Sequence, residues 1–123
     1  MVNGKKKILV VDDDRFVRGG LKEMLNYKGY EVDTAEDGVE ALKQIEEEDF
    51  DLILLDLILP GISGVETITR ILSRKPRANV IAMTAYSEQS MVAKAMAEGA
   101  KRCLLKPMDI DLIEDALKEV VTA

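Results

Sequence analysis

The sequence contains no histidine, no tryptophan and only one cysteine. The absence of histidine excludes histidine metal ligands and histidine acid–base catalysis. The single cysteine, Cys103, has no partner for an internal disulfide, and we interpret it as a small buried hydrophobe. No apolar run approaches the roughly 18 residues of a membrane-spanning helix, and the polar start MVNGKKK shows no signal-peptide core followed by a cleavage site. We therefore expect a cytoplasmic protein without membrane contact.

Positive charge is also scarce. The 123 residues include 17 lysines and arginines against 23 aspartates and glutamates, which gives a formal net charge of -6. Because a nucleic-acid-binding surface needs clustered positive charge, we expect no direct nucleic-acid binding. Hydrophobic residues make up 47% of the chain and charged residues 33%, a balance typical of a globular protein. The length fits one domain, which we place at residues 1–123.

Short aliphatic segments alternate with segments of helical period along the chain. Five segments have the length and composition of strands, at residues 7–11, 31–35, 52–55, 80–83 and 103–105. Between them apolar residues recur at spacings of three and four, as at Val17, Leu21 and Met24. Five repeats of strand and helix predict an α/β fold, in which helices cover both faces of a parallel sheet.

Polar residues stand at the ends of four of these strands. Three aspartates at 12–14 follow the first strand, Asp56 ends the third, Thr84 follows the fourth and Lys106 follows the fifth. In open parallel sheets, ligands bind beyond the carboxyl ends of the strands, so we expect these residues to converge. Asp56 is the most informative, because burying an unpaired polar group in such an apolar segment costs roughly 2–7 kcal/mol.

The convergence of these residues predicts a magnesium site that handles phosphate. Asp12, Asp13 and Asp56 would repel one another unless a cation neutralised them, and carboxylate oxygens suit Mg²⁺. Lys106 adds a fixed positive charge and Thr84 adds a hydroxyl group. Phosphoryl transfer requires mainly positioning and charge stabilisation, and the carboxylate nearest the metal would be the nucleophile. The pattern therefore predicts an aspartyl phosphate.

Other interpretations of the same residues stay open. Asp14 is expected to cap the first helix, Thr84 fits an ordinary strand residue, and Lys106 fits a surface lysine. The spacing of Asp12 and Asp14 also fits the nucleophile motif of a haloacid-dehalogenase-type phosphatase, which leaves the Pro-Gly loop after Asp56 unexplained. A flavodoxin is disfavoured, because aromatic residues are scarce and a hydroxyl-rich phosphate loop is missing.

Four motifs resemble the receiver domain of two-component response regulators. They are ILVVDDD (8–14), DLILLDLILPGISG (51–64), IAMTAYSE (81–88) and CLLKPMDI (103–110). The resemblance runs in order from Ile8 to about Val120, and it is strongest to the stand-alone receivers of chemotaxis and phosphorelays. It implies a flavodoxin-like (βα)5 sheet of strand order 2-1-3-4-5. It also implies a single receiver domain with its core at about 7–121 and no output domain in this chain.

The resemblance assigns roles to the residues at the strand ends. Asp56 would be the phosphoacceptor, Thr84 the switch hydroxyl and Lys106 the lysine that pairs with the phosphate. The peptide bond before Pro107 is expected to be cis. The implied ligands of Mg²⁺, for which Mn²⁺ can substitute, are Asp12, Asp13, Asp56 and the backbone carbonyl of Ile58.

A receiver of this kind is a signalling domain rather than an enzyme with a separate substrate. The resemblance implies that a histidine kinase, a histidine phosphotransfer protein or a small phosphodonor passes a phosphoryl group to Asp56, with both phosphorylation and dephosphorylation catalysed by the domain itself. Movement of Thr84 would switch the surface of the fourth helix, fifth strand and fifth helix. That surface would serve an unknown downstream protein or output domain, or a phosphorylation-linked dimer. A receiver-like module that signals by binding alone is the remaining alternative.

Two positions depart from the family pattern. Cys103 stands where the family usually has an aromatic residue that rotates with the threonine, so we expect coupling to depend on Thr84 and the following loop, including Tyr86. Ile58, two residues after Asp56, would cover the phosphoryl group together with Tyr86 and hinder attack by water. We therefore predict an aspartyl phosphate that hydrolyses slowly.

Overall fold

The computed structural model describes residues 6–85, 89–107 and 110–121, with the backbone alone at 120 and 121. In chain order the elements are β1 (Lys7–Val11), α1 (Arg15–Tyr27), β2 (Glu31–Ala35), α2 (Gly38–Glu47), β3 (Leu52–Asp56), α3 (Gly64–Arg74), β4 (Val80–Thr84), α4 (Gln89–Glu98), β5 (Arg102–Leu105) and α5 (Ile110–Val121). The strands form one parallel sheet in the order β2-β1-β3-β4-β5. The predicted α/β fold and the implied strand order are confirmed.

The sheet is buried on both faces because successive strand residues point to opposite sides. In β3, Leu52 and Leu54 pack against α1 and α5, while Ile53 and Leu55 pack against α2, α3 and α4. Every residue of β3 and of β4 is buried. Each large aliphatic side chain buried in this way stabilises the fold by about 1.5–3 kcal/mol. The two apolar layers hold the central strands in place, and therefore also the residues at their ends.

The first three helices begin at capping side chains. Asp14 Oδ1 accepts hydrogen bonds from the backbone N–H groups of Phe16 at 2.8 Å and Val17 at 3.3 Å, which confirms its predicted capping role. Asp37 and Ser63 cap α2 and α3 in the same manner. No helix within the described ranges is long and apolar enough to cross a membrane.

Two strands run one residue further than the apolar pattern predicts. β3 includes Asp56 and β4 includes Thr84, which pair in register with Met83 and Leu105. The apolar runs end one residue earlier, whereas backbone pairing continues: the Leu57 N–H donates to the Met83 carbonyl at 2.9 Å. Asp56 and Thr84 are therefore fixed by the sheet rather than carried on loops.

Candidate functional site

Three carboxylates meet at the carboxyl end of the sheet, the side on which the C-terminal residues of all five strands lie. One oxygen from each of Asp12, Asp13 and Asp56 can be chosen so that all three lie within 4.8 Å of one another. Asp12 and Asp56 are buried, whereas Asp13 is exposed. The donor set consists of hard oxygen ligands and carries an excess of negative charge, so it fits a divalent cation such as Mg²⁺.

Lys106 lies between two of these carboxylates. Its Nζ donates to Asp56 Oδ2 at 2.8 Å and to Asp12 Oδ2 at 2.5 Å, and its side chain is 15% exposed. Burial alone would lower the pKa of Lys106, but the hydrogen bonds to Asp12 and Asp56 outweigh burial and raise it. Lys106 is therefore a fixed cation. Its one positive charge does not neutralise three carboxylates.

Burial also raises the pKa of the Asp56 carboxyl group, because a charged carboxylate is poorly solvated inside the protein. Hydrogen bonds from Lys106 and from the Ile58 N–H oppose this rise, and the nearby charge of Asp12 adds to it. The Ile58 N–H donates to Asp56 Oδ1 at 2.9 Å, so both Asp56 oxygens have protein partners. The Ile58 side chain is exposed and points away from the core.

The loop after β3 folds back against Asp56 and requires a glycine. Gly64, the first residue of α3, donates its N–H to the Leu57 carbonyl at 3.1 Å. A Cβ atom at residue 64 would lie 2.4 Å from the Leu57 Cα and 2.6 Å from the Asp56 carbonyl oxygen. Backbone passes too close here for any side chain, which helps to fix the direction of Asp56.

Thr84 and Lys106 stand at the ends of β4 and β5, at the same end of the sheet as the carboxylates. Thr84 is buried at the end of β4, beside β3 in the sheet. Its carbonyl accepts the Lys106 N–H at 2.7 Å, which links the ends of β4 and β5. The Lys106–Pro107 peptide bond is cis, the isomer that the resemblance implies. The structure thus brings Asp12, Asp13, Asp56, Thr84 and Lys106 to one end of the sheet.

Cys103 is half-buried rather than buried, because it lies on β5 at the edge of the sheet. It pairs with Ala82 and packs against the layer formed by α2, α3 and α4. Burial raises the pKa of its thiol. Tyr86 lies outside the described residues, so its predicted contribution to switching and to covering the phosphoryl group stays a prediction.

Asp14 takes no part in the carboxylate cluster. Its side chain caps α1, while its backbone N–H donates to Asp12 Oδ1 at 2.9 Å. The Asp12–Asp14 pair required by the phosphatase alternative is therefore divided between a helix cap and the cluster. Lys106 Nζ instead donates to both Asp12 and Asp56.

Arg18 contacts the cluster through the backbone, and sequence reasoning missed it. Its Nη1 donates to the Asp12 carbonyl at 2.8 Å, and its Nη2 lies 3.8 Å from Glu36 Oε1. An arginine one helical turn after a capping aspartate is the only signal that could have suggested this contact.

Comparisons with known proteins agree with this fold. A family model described as the response regulator receiver domain matches residues 8–118. Sporulation initiation phosphotransferase F of Bacillus subtilis is 40% identical over 114 residues, covering 93% of this chain and 92% of that protein. The crystal structure of TrrA, a response regulator of Thermotoga maritima in complex with Mg²⁺ and BeF, is 41% identical. Its TM-score is 0.85, and the match covers 94% of this chain and 98% of that one.

A second solved structure contains the modified residue type that the cluster predicts. It is a response regulator from Burkholderia pseudomallei with a phosphorylated aspartic acid, a calcium ion and citrate. It is 32% identical with a TM-score of 0.88, and the match covers 96% of this chain and 69% of that one.

Proposed function

The chain belongs to the response regulator receiver family of two-component signalling, and we propose that it accepts a phosphoryl group on Asp56 in a magnesium-dependent reaction. Receiver domains are signalling domains rather than classical enzymes. The observation that carries the proposal is the contact of Lys106 with both Asp12 and Asp56, at a site that Asp13 also borders. A phosphoryl acceptor needs such an arrangement of nucleophile, fixed cation and metal ligands.

The residues proposed to hold Mg²⁺ are Asp12, Asp13, Asp56 and the backbone carbonyl of Ile58. Mn²⁺, which also takes oxygen ligands, would occupy the same site. When bound, the ion supplies positive charge that stabilises the oxygens of the transferring phosphoryl group. The acidic cluster supports this assignment, as do the metal ions in the two solved relatives.

The transfer itself would be carried out by the side chains of this chain. An Asp56 carboxylate oxygen forms a bond to phosphorus, while the bond from phosphorus to the donor breaks and its electron pair leaves with the donor. Lys106, already held by Asp12, would pair with a phosphoryl oxygen in place of Asp56 Oδ2. The Thr84 hydroxyl would donate to another phosphoryl oxygen. A bound cation would oppose the rise in the Asp56 pKa that burial causes, and would so favour the charged, nucleophilic form.

Two exposed apolar surfaces support the partner interactions of such a receiver. Met96 on α4, Leu105 on β5 and Leu112 on α5 are all exposed, which suits the proposed switch surface for a downstream protein or a second receiver. A separate cavity of about 400 Å³ opens beside Lys106, and Phe16 and Met24 of α1 line it. That cavity suits approach by a histidine kinase or a histidine phosphotransfer protein.

Incubation with acetyl phosphate tests the proposal. With MgCl₂ present, we expect intact-mass spectrometry to show the gain of one phosphoryl group. The gain should be absent when EDTA replaces MgCl₂ and absent in Asp56→Asn. A gain that persists in Asp56→Asn would overturn the assignment of the acceptor. Failure of the folded wild-type protein to gain mass would favour a module that signals by binding alone.

A further inference from the structure

Arg18 holds the end of β1 from the side of α1. The N–H of Asp12 donates to the Ala35 carbonyl of β2 at 3.1 Å, and the Asp12 carbonyl accepts from Arg18 Nη1 at 2.8 Å. The Arg18 side chain is only 15% exposed, although Arg15, in the same first turn of α1, is exposed. A guanidinium group that gives up solvent to reach a carbonyl indicates a specific contact.

The contact acts on the peptide unit that joins Asp12 to Asp13. Because a peptide unit is planar, fixing the direction of the Asp12 carbonyl also fixes where the Asp13 backbone begins. The two residues carry two of the three carboxylates of the cluster. Fixing this carbonyl therefore constrains the backbone between the two carboxylates, in addition to the hydrogen bonds that the Asp12 carboxylate accepts from the Asp14 N–H and Lys106 Nζ.

We propose that Arg18 is a positioning residue for the divalent-cation site, which orients Asp12 and Asp13 without contacting the ion. The inference rests on the proposed magnesium site. The exposed carboxylate of Glu36 lies 3.8 Å from Arg18 Nη2 and forms a weak ion pair with it. Arg18 thus joins the loop after β1 to the loop after β2.

The sign of the effect separates this role from a simple charge effect. A positive charge near a cation site weakens cation binding, so its removal should strengthen binding if charge alone matters. A positioning residue has the opposite signature, because losing it lets the ligands move apart. Removal of groups that orient metal ligands typically weakens binding about 10- to 100-fold.

Three variants isolate the contact. Arg18→Met keeps much of the apolar stem but removes the donors, and Arg18→Lys keeps the positive charge and a single donor nitrogen without the planar fork. Arg15→Met is the matched control, because Arg15 is an exposed arginine in the same first turn of α1. Among the described residues, no hydrogen bond or ion pair joins Arg15 to the carboxylates of the cluster. Melting temperatures measured without metal establish that each variant is folded.

Titration with MgCl₂, followed by amide chemical shifts in NMR spectra, gives the Kd of each variant. We expect Arg18→Met to raise Kd about tenfold. The Kd of Arg18→Lys should lie between those of Arg18→Met and the wild type. At the same ionic strength, the Kd of Arg15→Met should stay within about twofold of the wild-type value.

A Kd for Arg18→Met equal to or below that of the wild type overturns the inference, as does an equal rise in Arg15→Met. If Arg18→Met does not fold, Arg18→Lys decides: a raised Kd supports positioning, and a Kd equal to the wild type overturns it. Absence of Mg²⁺ binding by the wild-type protein would instead overturn the proposed function. The two failures are therefore distinguishable.

Discussion

Each end of the sheet holds a lysine between two carboxylates, yet the two ends differ in burial. At the carboxyl end, Lys106 lies between Asp12 and Asp56, whose side chains are 0% and 7% exposed. At the amino end, Lys7 pairs with Glu31 at 3.4 Å and with Glu48, whose side chains are 52% and 37% exposed. Water screens the pairs at the amino end, whereas those at the carboxyl end interact inside the protein. Similar charge pairs therefore have different consequences at the two ends.

The two ends also relieve carboxylate repulsion differently. At the amino end, a hydrogen bond with Glu48 is the largest cause of the raised pKa of Asp33, ahead of burial. At the carboxyl end, three carboxylates face one lysine, and a cation can relieve the remaining repulsion. Across the described part of the chain, no other three carboxylates come close enough to hold a metal ion. The cluster of three carboxylates at the carboxyl end, two of them buried, rather than the presence of an ion pair, therefore distinguishes the candidate metal site.

The largest expected difference between the ends concerns stability. Without metal at pH 7, Lys106→Met should lower the free energy of unfolding by about 3 kcal/mol, because it leaves buried carboxylates without their cation. Lys7→Met should lower it less, since its carboxylate partners are solvated. Urea unfolding followed by circular dichroism measures both. An equal loss in the two variants would remove the contrast between the ends.

Gly64→Ala tests how tightly the carboxyl end is packed. The added Cβ would press on the backbone of Asp56 and Leu57, which should cost about 2 kcal/mol of stability. It should also slow phosphorylation by acetyl phosphate. Gly20→Ala is the matched control in α1, where a Cβ meets nothing within 4 Å, and it should be neutral or stabilising. Unfolding by urea compares them, and a tolerated Gly64→Ala would contradict the close approach.

The raised pKa of Asp56 predicts a dependence of stability on pH. Burial raises the folded-state pKa above 3.8, so the folded protein binds this proton more tightly than the unfolded chain. Stability from this source is present below pH 3.8 and is lost as pH rises through the folded-state pKa. In EDTA, Asp56→Asn should therefore gain stability over the wild type with rising pH. Chemical unfolding at several pH values measures this gain, and a difference that does not change with pH would contradict it.

The smallest expected effect concerns Ile58. Its exposed side chain stands two residues after Asp56, where it would hinder attack by water on the phosphoryl group. Ile58→Ala should shorten the lifetime of the aspartyl phosphate about threefold, which corresponds to about 0.7 kcal/mol in the barrier. Loss of the phosphorylated mass after removal of donor gives the rate. A lifetime longer in Ile58→Ala than in the wild type would refute shielding by Ile58.

The strand pattern predicted both the fold class and the convergence of the site residues, because both follow from the order of apolar segments along the chain. Asp12, Asp56, Thr84 and Lys106 each stand at the end of an apolar run, so a parallel sheet places them at one end. The strand order could not be obtained from periodicity and came from family resemblance. Periodicity defines each element but not which strands are neighbours.

Arg18 and Gly64 show what the sequence pattern leaves out. The role of Arg18 depends on its side chain turning back toward Asp12, and that of Gly64 on a loop folding against Asp56. Both are contacts between segments, and neither residue type is unusual at its position. Such contacts depend on tertiary packing, which a single sequence does not reveal.

The central claim is that Asp56 is the phosphoacceptor at the carboxyl end of the sheet. The most direct test treats the acetyl-phosphate-modified protein with borohydride, which reduces an aspartyl phosphate to homoserine, and locates the change by peptide mass spectrometry. We predict homoserine at Asp56 alone, and only when Mg²⁺ was present during phosphorylation. Homoserine at Asp12 or Asp13, with Asp56 unchanged, would contradict the account.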